Sequence, residues 1–322
     1  MVQNRIISWY LQNKRSLPWR NTENPYFIWI SEIILQQTRV AQGLPYFERF
    51  VAQYPTIFDL AAAPEDEVLR LWQGLGYYSR GRNLHQTAKY IVEHHKGVFP
   101  NSYQEIISLK GVGPYTAAAI ASFAFKERIP AIDGNVLRVI SRILRIESPI
   151  DSPVTQKEIR NIAEEWISTV EPDTFNQAMM EFGAIQCTPK APLCETCPVQ
   201  VYCLSYPDKA YLNLPFKAKK TKIQERELYY KIYRKGNQYL LKQRKNSDIW
   251  KSLYDFPEGK PETYLKEYPT ATHLLSHRKL QIHFYACEPS EQADEGTWFT
   301  LDEIEELPKP KVIDDFIRKE LI

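Results

Sequence analysis

The segment CTPKAPLCETCPVQVYC, residues 187–203, holds four of the five cysteines of this 322-residue chain. Cys187, Cys194, Cys197 and Cys203 are separated by six, two and five residues. Nothing in the N-terminal stretch MVQNRIISWY resembles a secretory signal, and clustered cysteines outside the secretory route bind metal more often than they form disulfides. Four thiolates suit either zinc or a 4Fe-4S cluster. Zinc sites favour two C-x2-C pairs, whereas here one C-x2-C pair is flanked by cysteines at longer spacings. The spacing therefore favours the 4Fe-4S cluster, and zinc stays an open alternative.

The composition is that of an ordinary soluble protein long enough for two domains, with 43% hydrophobic and 25% charged residues. The longest apolar run, residues 117–125, is shorter than the roughly 20 residues that span a bilayer, so we expect no membrane role. A net charge of +2 does not by itself indicate nucleic acid. Cys287, in the apolar run HFYACE, is interpreted as a buried thiol. Basic residues crowd the segment after the cysteine loop, a pattern that alone indicates a solvated charge run: Lys209, Lys217, Lys219, Lys220, Lys222 and Arg226.

The periodicity of the apolar residues divides the chain into two parts. Up to about residue 205 they recur at spacings of three and four, as at Ile30, Ile33 and Ile34, which predicts helices. Beyond about residue 225 the runs LYYKIYR and QYLLKQR predict a hairpin that turns at residues 235–237. We therefore predict a mainly α N-terminal domain over residues 1–205 that ends in the cysteine loop, a basic linker over residues 206–225, and a smaller α+β domain over residues 226–322.

The segment LKGVGPYTAAAI, residues 109–120, places a Gly-x-Gly turn between two predicted helices. Pro114 suits the first turn of the second helix. We expect the amides of Val112 and Gly113 to be free at that helix N-terminus, where they would form a phosphate site. The segment resembles the hairpin of a helix-hairpin-helix module, which binds a DNA backbone without reading its sequence.

Two carboxylates stand at positions of interest in the N-terminal part. In IDGNVLRVISRIL, Asp133 precedes an apolar-periodic helix, so it is first of all an N-cap, and the helix N-terminus would also keep it ionised. In PYFIWISEIILQQTRV, Glu32 lies among isoleucines on a predicted helix. Exposure on a polar face is the simpler reading of Glu32, whereas burial would raise its pKa and keep it protonated near neutrality. A neutral acid beside a charged carboxylate is the pair that cleavage of an N-glycosidic bond requires.

These motifs together resemble the endonuclease III superfamily of helix-hairpin-helix base-excision glycosylases. The resemblance rests on LKGVGPYT, on the downstream IDGNV and on the cysteine quartet, and it covers about the first 205 residues. SEIILQQTRV, GLGYYSRGRNL and FNQAMMEFGAIQC are similar to the MutY adenine DNA glycosylase branch. The resemblance implies a 4Fe-4S cluster held by the four cysteines. It also implies double-stranded DNA with adenine mispaired with 8-oxoguanine or guanine (A:8-oxoG or A:G) as the substrate.

The same resemblance implies roles for individual residues. Glu32 would protonate adenine N7 and later activate water, and Asp133 would stabilise or transiently capture the sugar cation while Asn135 orients it. Tyr115 stands where lyase members of the superfamily carry a Schiff-base lysine, which implies a monofunctional enzyme that leaves an abasic site. Lys110 occupies a hairpin position usually filled by proline and is interpreted as a phosphate contact. The adenine pocket is expected to be lined by Trp19, Arg20 and Gln177. Gln37 and Tyr77 are expected to support the duplex beside the flipped base.

Core packing is the simpler reading of the neighbouring residues Tyr77 and Tyr78. For Tyr78 we expect it. Trp19 lies in LPWR, which predicts a loop, and an aromatic residue exposed on a loop would be explained by a pocket wall.

The C-terminal part resembles the nudix-related lesion-recognition domain of MutY proteins, through IWKSLYDFPEGK at residues 249–260. No acidic nudix box follows Gly259, so the resemblance argues against diphosphate hydrolysis. MutY proteins contact 8-oxoguanine through a Phe-Ser-His tip, and this chain has Leu275, Ser276 and His277. Ser276 and His277 keep hydrogen-bonding capacity toward the lesion, whereas Leu275 replaces the aromatic wedge.

Two alternatives remain open at this stage. One is a bifunctional endonuclease III-type glycosylase and lyase acting on oxidised pyrimidines, which Tyr115 and the second domain oppose. The other is a non-catalytic iron–sulfur DNA-binding protein, which the joint presence of Glu32 and Asp133 opposes. We expect a monomer in the cytoplasm, associated with the nucleoid if bacterial, with clamp or mismatch-repair partners that the sequence does not identify.

Overall fold

The computed structural model describes residues 1–218, 223–245, 248–275, 278–289 and 295–322. Contacts between residues divide it into two compact units. The first unit comprises residues 1–37 and 90–220, and the second comprises residues 38–89 and 221–322. Residues 38–89 are helical and sit with the C-terminal part, although their pattern alone places them in the N-terminal domain.

The predicted division into a helical part followed by a strand-rich part is confirmed. In chain order the described α-helices are α1 (Val2–Asn13), α2 (Pro25–Leu35), α3 (Val40–Gln53), α4 (Ile57–Ala62), α5 (Glu65–Leu71), α6 (Ser79–His95), α7 (Tyr103–Ile106), α8 (Pro114–Phe125), α9 (Gly134–Ile143), α10 (Pro153–Ile167), α11 (Pro172–Glu181), α12 (Leu301–Glu306) and α13 (Lys311–Glu320). A π-helix, Phe182–Gln186, continues α11 toward the cysteine loop. Short 3-10 turns lie at Pro18–Arg20, Cys194–Thr196, Gln200–Tyr202 and Ala210–Leu212. Within the described residues, none of these helices combines the length and the apolarity needed to cross a membrane.

The first unit is built around two groups of packed helices. Helix α2 packs on α8, and α11 packs on α1, α8 and α9. Helix α2 is buried around most of its circumference because its sequence offers almost no polar face. Asn24 caps its start by accepting a hydrogen bond from the Tyr26 amide at 3.0 Å. A hydrophobic core lies between helices α1, α9, α10 and α11. Its larger members include Ile6, Val139, Ile140, Phe175 and Phe182.

The second unit contains a mixed sheet. Its described strands are β1 (Gln224–Lys235), β2 (Gln238–Gln243), β3 (Tyr254–Asp255), β4 (Lys266–Glu267), β5 (Ala271–Leu274), β6 (Arg278–Cys287) and β7 (Thr297–Thr300). The order is β3-β2-β1-β6-β4, with β5 also on β6 and β7 also on β2. Strands β1 and β6 are parallel, and the other pairs are antiparallel. The predicted hairpin is confirmed, with Lys235 opposite Gln238 and a tight turn at Gly236, whose φ of 63° favours glycine.

Polar contacts inside the second unit tie residues 38–89 to the C-terminal part. The Tyr78 hydroxyl donates to the Lys309 carbonyl at 3.1 Å, and Tyr78 is buried, so the prediction that it packs in the core is confirmed. Asp66 accepts hydrogen bonds from Gln243 at 3.1 Å and from Tyr254 at 3.3 Å. Cys287 is buried at the end of β6, as predicted.

An ion pair is buried inside the sheet domain. Arg244 donates to Asp255 at 2.6 Å, and the Tyr230 hydroxyl donates to the same carboxylate oxygen at 2.8 Å. Both charged side chains are about 5% exposed or less. A buried pair of this kind is destabilising to break because the remaining charge has no water to solvate it.

Replacing Arg244 with methionine should therefore lower the free energy of unfolding by about 3–5 kcal/mol. The double variant Arg244→Met/Asp255→Leu should recover much of that loss, because no buried charge is left unpaired. As a control, Lys279→Met removes an exposed pair with Glu225 and should cost no more than about 1 kcal/mol. Urea titrations of the three variants measure these differences, and equal losses for Arg244→Met and Lys279→Met would contradict the expectation.

Candidate active site

Glu32 lies inside the first unit and not on a polar helix face. Its side chain is buried on α2, flanked by Ile30, Ile33 and Ile34. Burial raises the pKa of Glu32 to about 7, and the negative charge of Asp133 adds to the rise. A hydrogen bond with Tyr115 and the positive charge of Arg20 oppose the rise without cancelling it. Glu32 is therefore a carboxylic acid that exchanges its proton near neutral pH.

Asp133 caps α9, as the sequence predicts. One carboxylate oxygen accepts from the amides of Asn135 at 2.9 Å and Val136 at 2.8 Å, and the other accepts from the Asn135 side-chain amide at 2.5 Å. The cap alone would lower the pKa of Asp133, as we expected. Burial is the larger effect, however, and raises the pKa of Asp133 above its usual value while these hydrogen bonds oppose the shift.

Tyr115 occupies the second position of α8, close enough to both carboxylates for their charges to act on it. Its hydroxyl hydrogen-bonds with Glu32 and lies 3.8 Å from the sulfur of Met180. Burial, reinforced by the negative charges of Glu32 and Asp133, raises the pKa of Tyr115 well above its usual value. The phenol therefore stays neutral, and the structure brings Glu32, Tyr115, Asp133 and Asn135 into one site.

A chain of hydrogen bonds that sequence reasoning missed connects this site to the cysteine loop. Arg138, one turn along α9, donates to the Asn135 side-chain oxygen at 2.8 Å, to the Gly183 carbonyl at 2.6 Å and to the Cys187 carbonyl at 2.9 Å. Gly183 belongs to the π-helix, where a side chain would collide with Asn135. The positions of Arg138 and Gly183 in the sequence do not indicate this contact, because they lie 45 residues apart.

Of the three residues expected to line the base pocket, Gln177 and Arg20 hydrogen-bond with buried side chains, and Trp19 is itself buried. Trp19 lies in a 3-10 turn and is only 8% exposed, so the expectation of an exposed loop aromatic was wrong. The hydrophobic indole packs inward when the turn Pro18–Arg20 folds back onto the helices. Gln177 accepts a hydrogen bond from the Tyr10 hydroxyl at 2.8 Å.

Arg20 is positioned by a fully buried carboxylate that the sequence analysis also missed. Glu181 accepts from Arg20 at 2.7 Å and from the Arg15 guanidinium at 2.6 and 2.8 Å. Burial acts to raise the pKa of Glu181, but the hydrogen bonds from both arginines outweigh it and lower this pKa to about 2. One signal was available, since Glu181 follows Gln177 by four residues and so shares its helix face.

The glycine hairpin before α8 differs from the prediction in one respect. The Val112 amide donates to the Leu109 carbonyl at 3.1 Å and the Val112 side chain is buried, so this amide is not free. The bond closes the turn, in which Gly111 has a φ of 79°. Gly113 remains at the N-cap of α8, and Lys110 is exposed beside it.

Gln37 and Tyr77, which were expected to support the duplex, are both exposed. Gln37 follows α2 in the first unit, and Tyr77 precedes α6 in the second. Both have positive φ values, 60° and 48°, which non-glycine residues seldom adopt. Such strain often occurs at functional positions. Ser276 and His277 lie outside the described residues, and the neighbouring Leu275 amide donates to the Arg278 carbonyl at 2.7 Å.

The four cysteines of residues 187–203 line one cavity, which is partly open to solvent. Arg142, a buried residue of α9, holds the loop around it by donating to the carbonyls of Thr188 at 2.7 Å and Pro189 at 2.9 Å. Burial raises the pKa of Cys197 to about 12, so the thiolate needs a cationic partner there. Among the described residues no three histidine, cysteine or acidic side chains converge as ligands of a single ion. A cavity bounded by four cysteines fits the donor set of an iron–sulfur cluster.

Comparisons with known proteins identify two family matches and several similar proteins. Residues 30–169 match the HhH-GPD superfamily of base excision DNA repair proteins, and residues 229–319 match the NUDIX domain. The adenine DNA glycosylase of Buchnera aphidicola subsp. Schizaphis graminum is 37% identical over 78% of this chain and 73% of its own length. That of Mus musculus is 44% identical over 63% of this chain and 41% of its own.

The chain belongs to the adenine DNA glycosylase family. A solved structure of a thermostable thymine-DNA glycosylase is also similar, with a TM-score of 0.59 and 29% identity over 64% of this chain and 95% of its own. An endonuclease III–DNA complex has a TM-score of 0.56 over 65% of this chain and 94% of its own, and at 23% identity it shows a shared fold. The predicted two-domain fold class is thereby confirmed for this family member.

Gly183 offers a test of the close contact between the π-helix and α9. A methyl group there would lie 2.5 Å from the Asn135 Cβ, so Gly183→Ala should displace the first turn of α9 and lower the glycosylase rate by about 100-fold. It should also cost about 1–3 kcal/mol in stability through overpacking. Gly134→Ala is the matched control for stability, because a methyl group there meets nothing within 4 Å. Single-turnover rates and thermal unfolding give the readouts, and wild-type behaviour of Gly183→Ala would contradict the contact.

Proposed function

We propose that this protein hydrolyses the N-glycosidic bond of adenine mispaired with 8-oxoguanine or guanine in double-stranded DNA and leaves an abasic site. The observation that carries this proposal is the pair formed by Glu32 and Asp133. One carboxyl exchanges its proton near pH 7, and the other is held by three hydrogen bonds at a helix N-terminus. The family relationship supports adenine as the base.

The reaction assigns a separate task to each carboxyl group. Protonated Glu32 donates its proton to adenine N7, which makes the base a neutral leaving group. The sugar left behind is an oxocarbenium-like cation, and ionised Asp133 stabilises or transiently captures it. Glu32, now ionised, accepts a proton from the attacking water. The enzyme must extrude the adenine from the stack before Glu32 can reach it.

Neighbouring residues hold these groups in place. Asn135 fixes the orientation of the Asp133 carboxylate through its side-chain amide. Tyr115 carries a neutral phenol that has no amine for a Schiff base, which supports a monofunctional enzyme over a lyase. Trp19, Arg20 and Gln177 would form the pocket for the extruded base, with Arg20 fixed by Glu181.

DNA contacts outside the pocket are assigned by exposure and backbone geometry. The hairpin with Gly113 and Lys110 would hold phosphate at the N-terminus of α8. Gln37 and Tyr77 would support the duplex beside the extruded base. The NUDIX-like domain would recognise 8-oxoguanine. Ser276 and His277, proposed as its lesion contacts, lie outside the described residues.

We also propose that Cys187, Cys194, Cys197 and Cys203 ligate a 4Fe-4S cluster. Their spacing and their shared cavity support it. When bound, the cluster supplies a covalent cross-link of the loop and no chemistry at the sugar, because four cysteines leave no open iron position. Arg138 and Arg142 of α9 hydrogen-bond with carbonyls of this loop, so a loop fixed by the cluster would also fix the position of α9. A monomeric state, a cytoplasmic location near the nucleoid and recruitment by clamp or mismatch-repair proteins remain predictions.

The pKa of Glu32 sets the pH dependence of the chemical step. Because the protonated form is required and its pKa is about 7, the single-turnover rate of adenine release should be high below pH 7. Above that pH the rate should fall by up to about tenfold per pH unit. Glu32→Gln should lose about 10²–10⁴-fold in rate. Any residual activity of Glu32→Gln should lack this alkaline decrease, and an unchanged decrease in the variant would assign the titration to another group.

The proposed activity is tested with a labelled duplex that carries adenine opposite 8-oxoguanine, with matched A:G and thymine-glycol duplexes. Single-turnover samples are split and analysed with and without alkali. Cleavage of the adenine strand only after alkali is the expected result, because a monofunctional enzyme leaves an intact abasic strand. Alkali-independent cleavage, or activity confined to thymine glycol, would instead indicate the lyase alternative. Asp133→Asn serves as the control for contaminating activity.

A further inference from the structure

The segment between α5 and α6, residues 72–78, presents Tyr77 on a sharply bent backbone. Tyr77 has a positive φ, and its neighbours Gly74 and Gly76 have φ values of 95° and 74°. Glycine adopts such values freely, but tyrosine seldom does. The residue is also 44% exposed, so burial of its ring does not account for this conformation. A strained backbone of this kind persists only where surrounding contacts hold it.

Side-chain donors from two helical segments hold the carbonyls of residues 72–78. The Tyr46 hydroxyl of α3 donates to the Gln73 carbonyl at 2.8 Å. The indole nitrogen of buried Trp72 donates to the Gly76 carbonyl at 3.1 Å. These bonds fix the beginning of the bend and its centre.

Arg80, the second residue of α6, contacts the same segment at several points. Its Nη2 atom lies within hydrogen-bond distance of three oxygens: the Leu75 carbonyl at 3.3 Å, the Gly76 carbonyl at 3.2 Å and the Thr38 hydroxyl at 3.4 Å. Its own amide donates to the Tyr77 carbonyl at 2.8 Å. The side chain is buried, so these polar partners replace the water that would otherwise solvate its charge.

The Arg80 guanidinium also contacts two aromatic rings. Its Cζ atom lies 5.3 Å from the centroid of the Trp72 ring and 5.7 Å from that of the Tyr77 ring. Both distances are within the roughly 6 Å over which a cation attracts the face of a ring. Trp72 belongs to the core, whereas Tyr77 faces solvent. Arg80 therefore links the exposed ring to the interior of the second unit.

We infer that Arg80 is a positioning residue that holds Tyr77 in the conformation in which it supports the DNA duplex. The inference rests on the role proposed for Tyr77 above. Because Arg80 is buried, it acts through the backbone of residues 75–77 and through the Tyr77 ring. A side chain that enters a base stack must resist displacement, since a ring that yields cannot replace the lost stacking. The contacts of Arg80 supply this resistance before DNA binds.

A double-mutant cycle tests the inference with the variants Arg80→Met, Tyr77→Ala and Arg80→Met/Tyr77→Ala. The measurement is the single-turnover rate constant for adenine release from the A:8-oxoG duplex, with full-length enzyme in excess. Each single variant should lower this rate constant by about 10- to 100-fold, because the reacting groups are misplaced. The double variant should be no slower than Tyr77→Ala, since Arg80 has nothing left to position.

The amplitude of the same reaction separates positioning from loss of fold. A variant that is only destabilised gives a smaller amplitude at the wild-type rate constant, because its folded molecules are unchanged. Arg70→Met is the matched control, since it removes an exposed ion pair with Glu306 in the same unit, and it should keep the wild-type rate constant. Arg80→Lys keeps the charge without the planar guanidinium, so its rate constant should lie between those of the wild type and Arg80→Met.

The outcomes that would overturn the inference are distinct from failure of the proposed function. Single-variant effects that multiply in the double variant would show that Arg80 acts independently of Tyr77. A wild-type rate constant for Arg80→Met, with only a reduced amplitude, would assign Arg80 to stability alone. If Arg80→Met does not fold, a wild-type rate constant for Arg80→Lys would overturn the inference. A wild-type rate for Tyr77→Ala would instead refute the role of Tyr77, and absence of adenine release by the wild type would refute the proposed activity.

Discussion

Helix α9 is the constraint on which the rest of the first unit depends. Its first turn is capped by Asp133, the next turn carries Arg138, and the turn after that carries Arg142. The cap fixes the carboxylate toward the site, and the two arginines fix the backbone of the cysteine loop by hydrogen bonds to four of its carbonyl and sulfur atoms. A shift of this one helix would therefore move the carboxylate and the loop together.

The second controlling effect is the balance between desolvation, which raises the pKa of a buried acid, and the hydrogen bonds that the acid accepts, which lower it. Burial raises the pKa of Glu32, although the hydrogen bond with Tyr115 and the positive charge of Arg20 both favour the ionised form. Glu181 is just as buried, but three hydrogen bonds from Arg15 and one from Arg20 reverse the outcome. The number of direct donors, and not burial alone, separates the acid that exchanges a proton from the one that serves as an anchor.

Sequence reasoning succeeded where the signal was local. The Asp133 cap, the hairpin at Gly236 and the core position of Tyr78 all depend on neighbours within a few residues or on apolar pattern. It failed where distant segments decide the outcome. Burial of Trp19 depends on how its turn folds back, and the roles of Arg138 and Glu181 depend on partners 45 and 166 residues away.

For two residues the surroundings, and not the sequence motif, decide the state of the group. Val112 lies in the expected hairpin, but its amide closes the turn, which leaves Gly113 to provide the helix N-terminus. For Glu32 the sequence favoured exposure on a polar helix face, but the packing of α2 on α8 buries its side chain. In both cases the element was predictable, and the state of a single group within it was not.

The central claim is that burial keeps the Glu32 carboxyl protonated up to neutral pH. Infrared difference spectroscopy of the isotope-labelled protein, with Glu32→Gln as the reference, measures this directly through the carboxylic acid C=O band. The Glu32 band is expected to disappear with a midpoint near pH 7. A carboxylate already ionised at pH 5, with no band unique to the wild type, would contradict it.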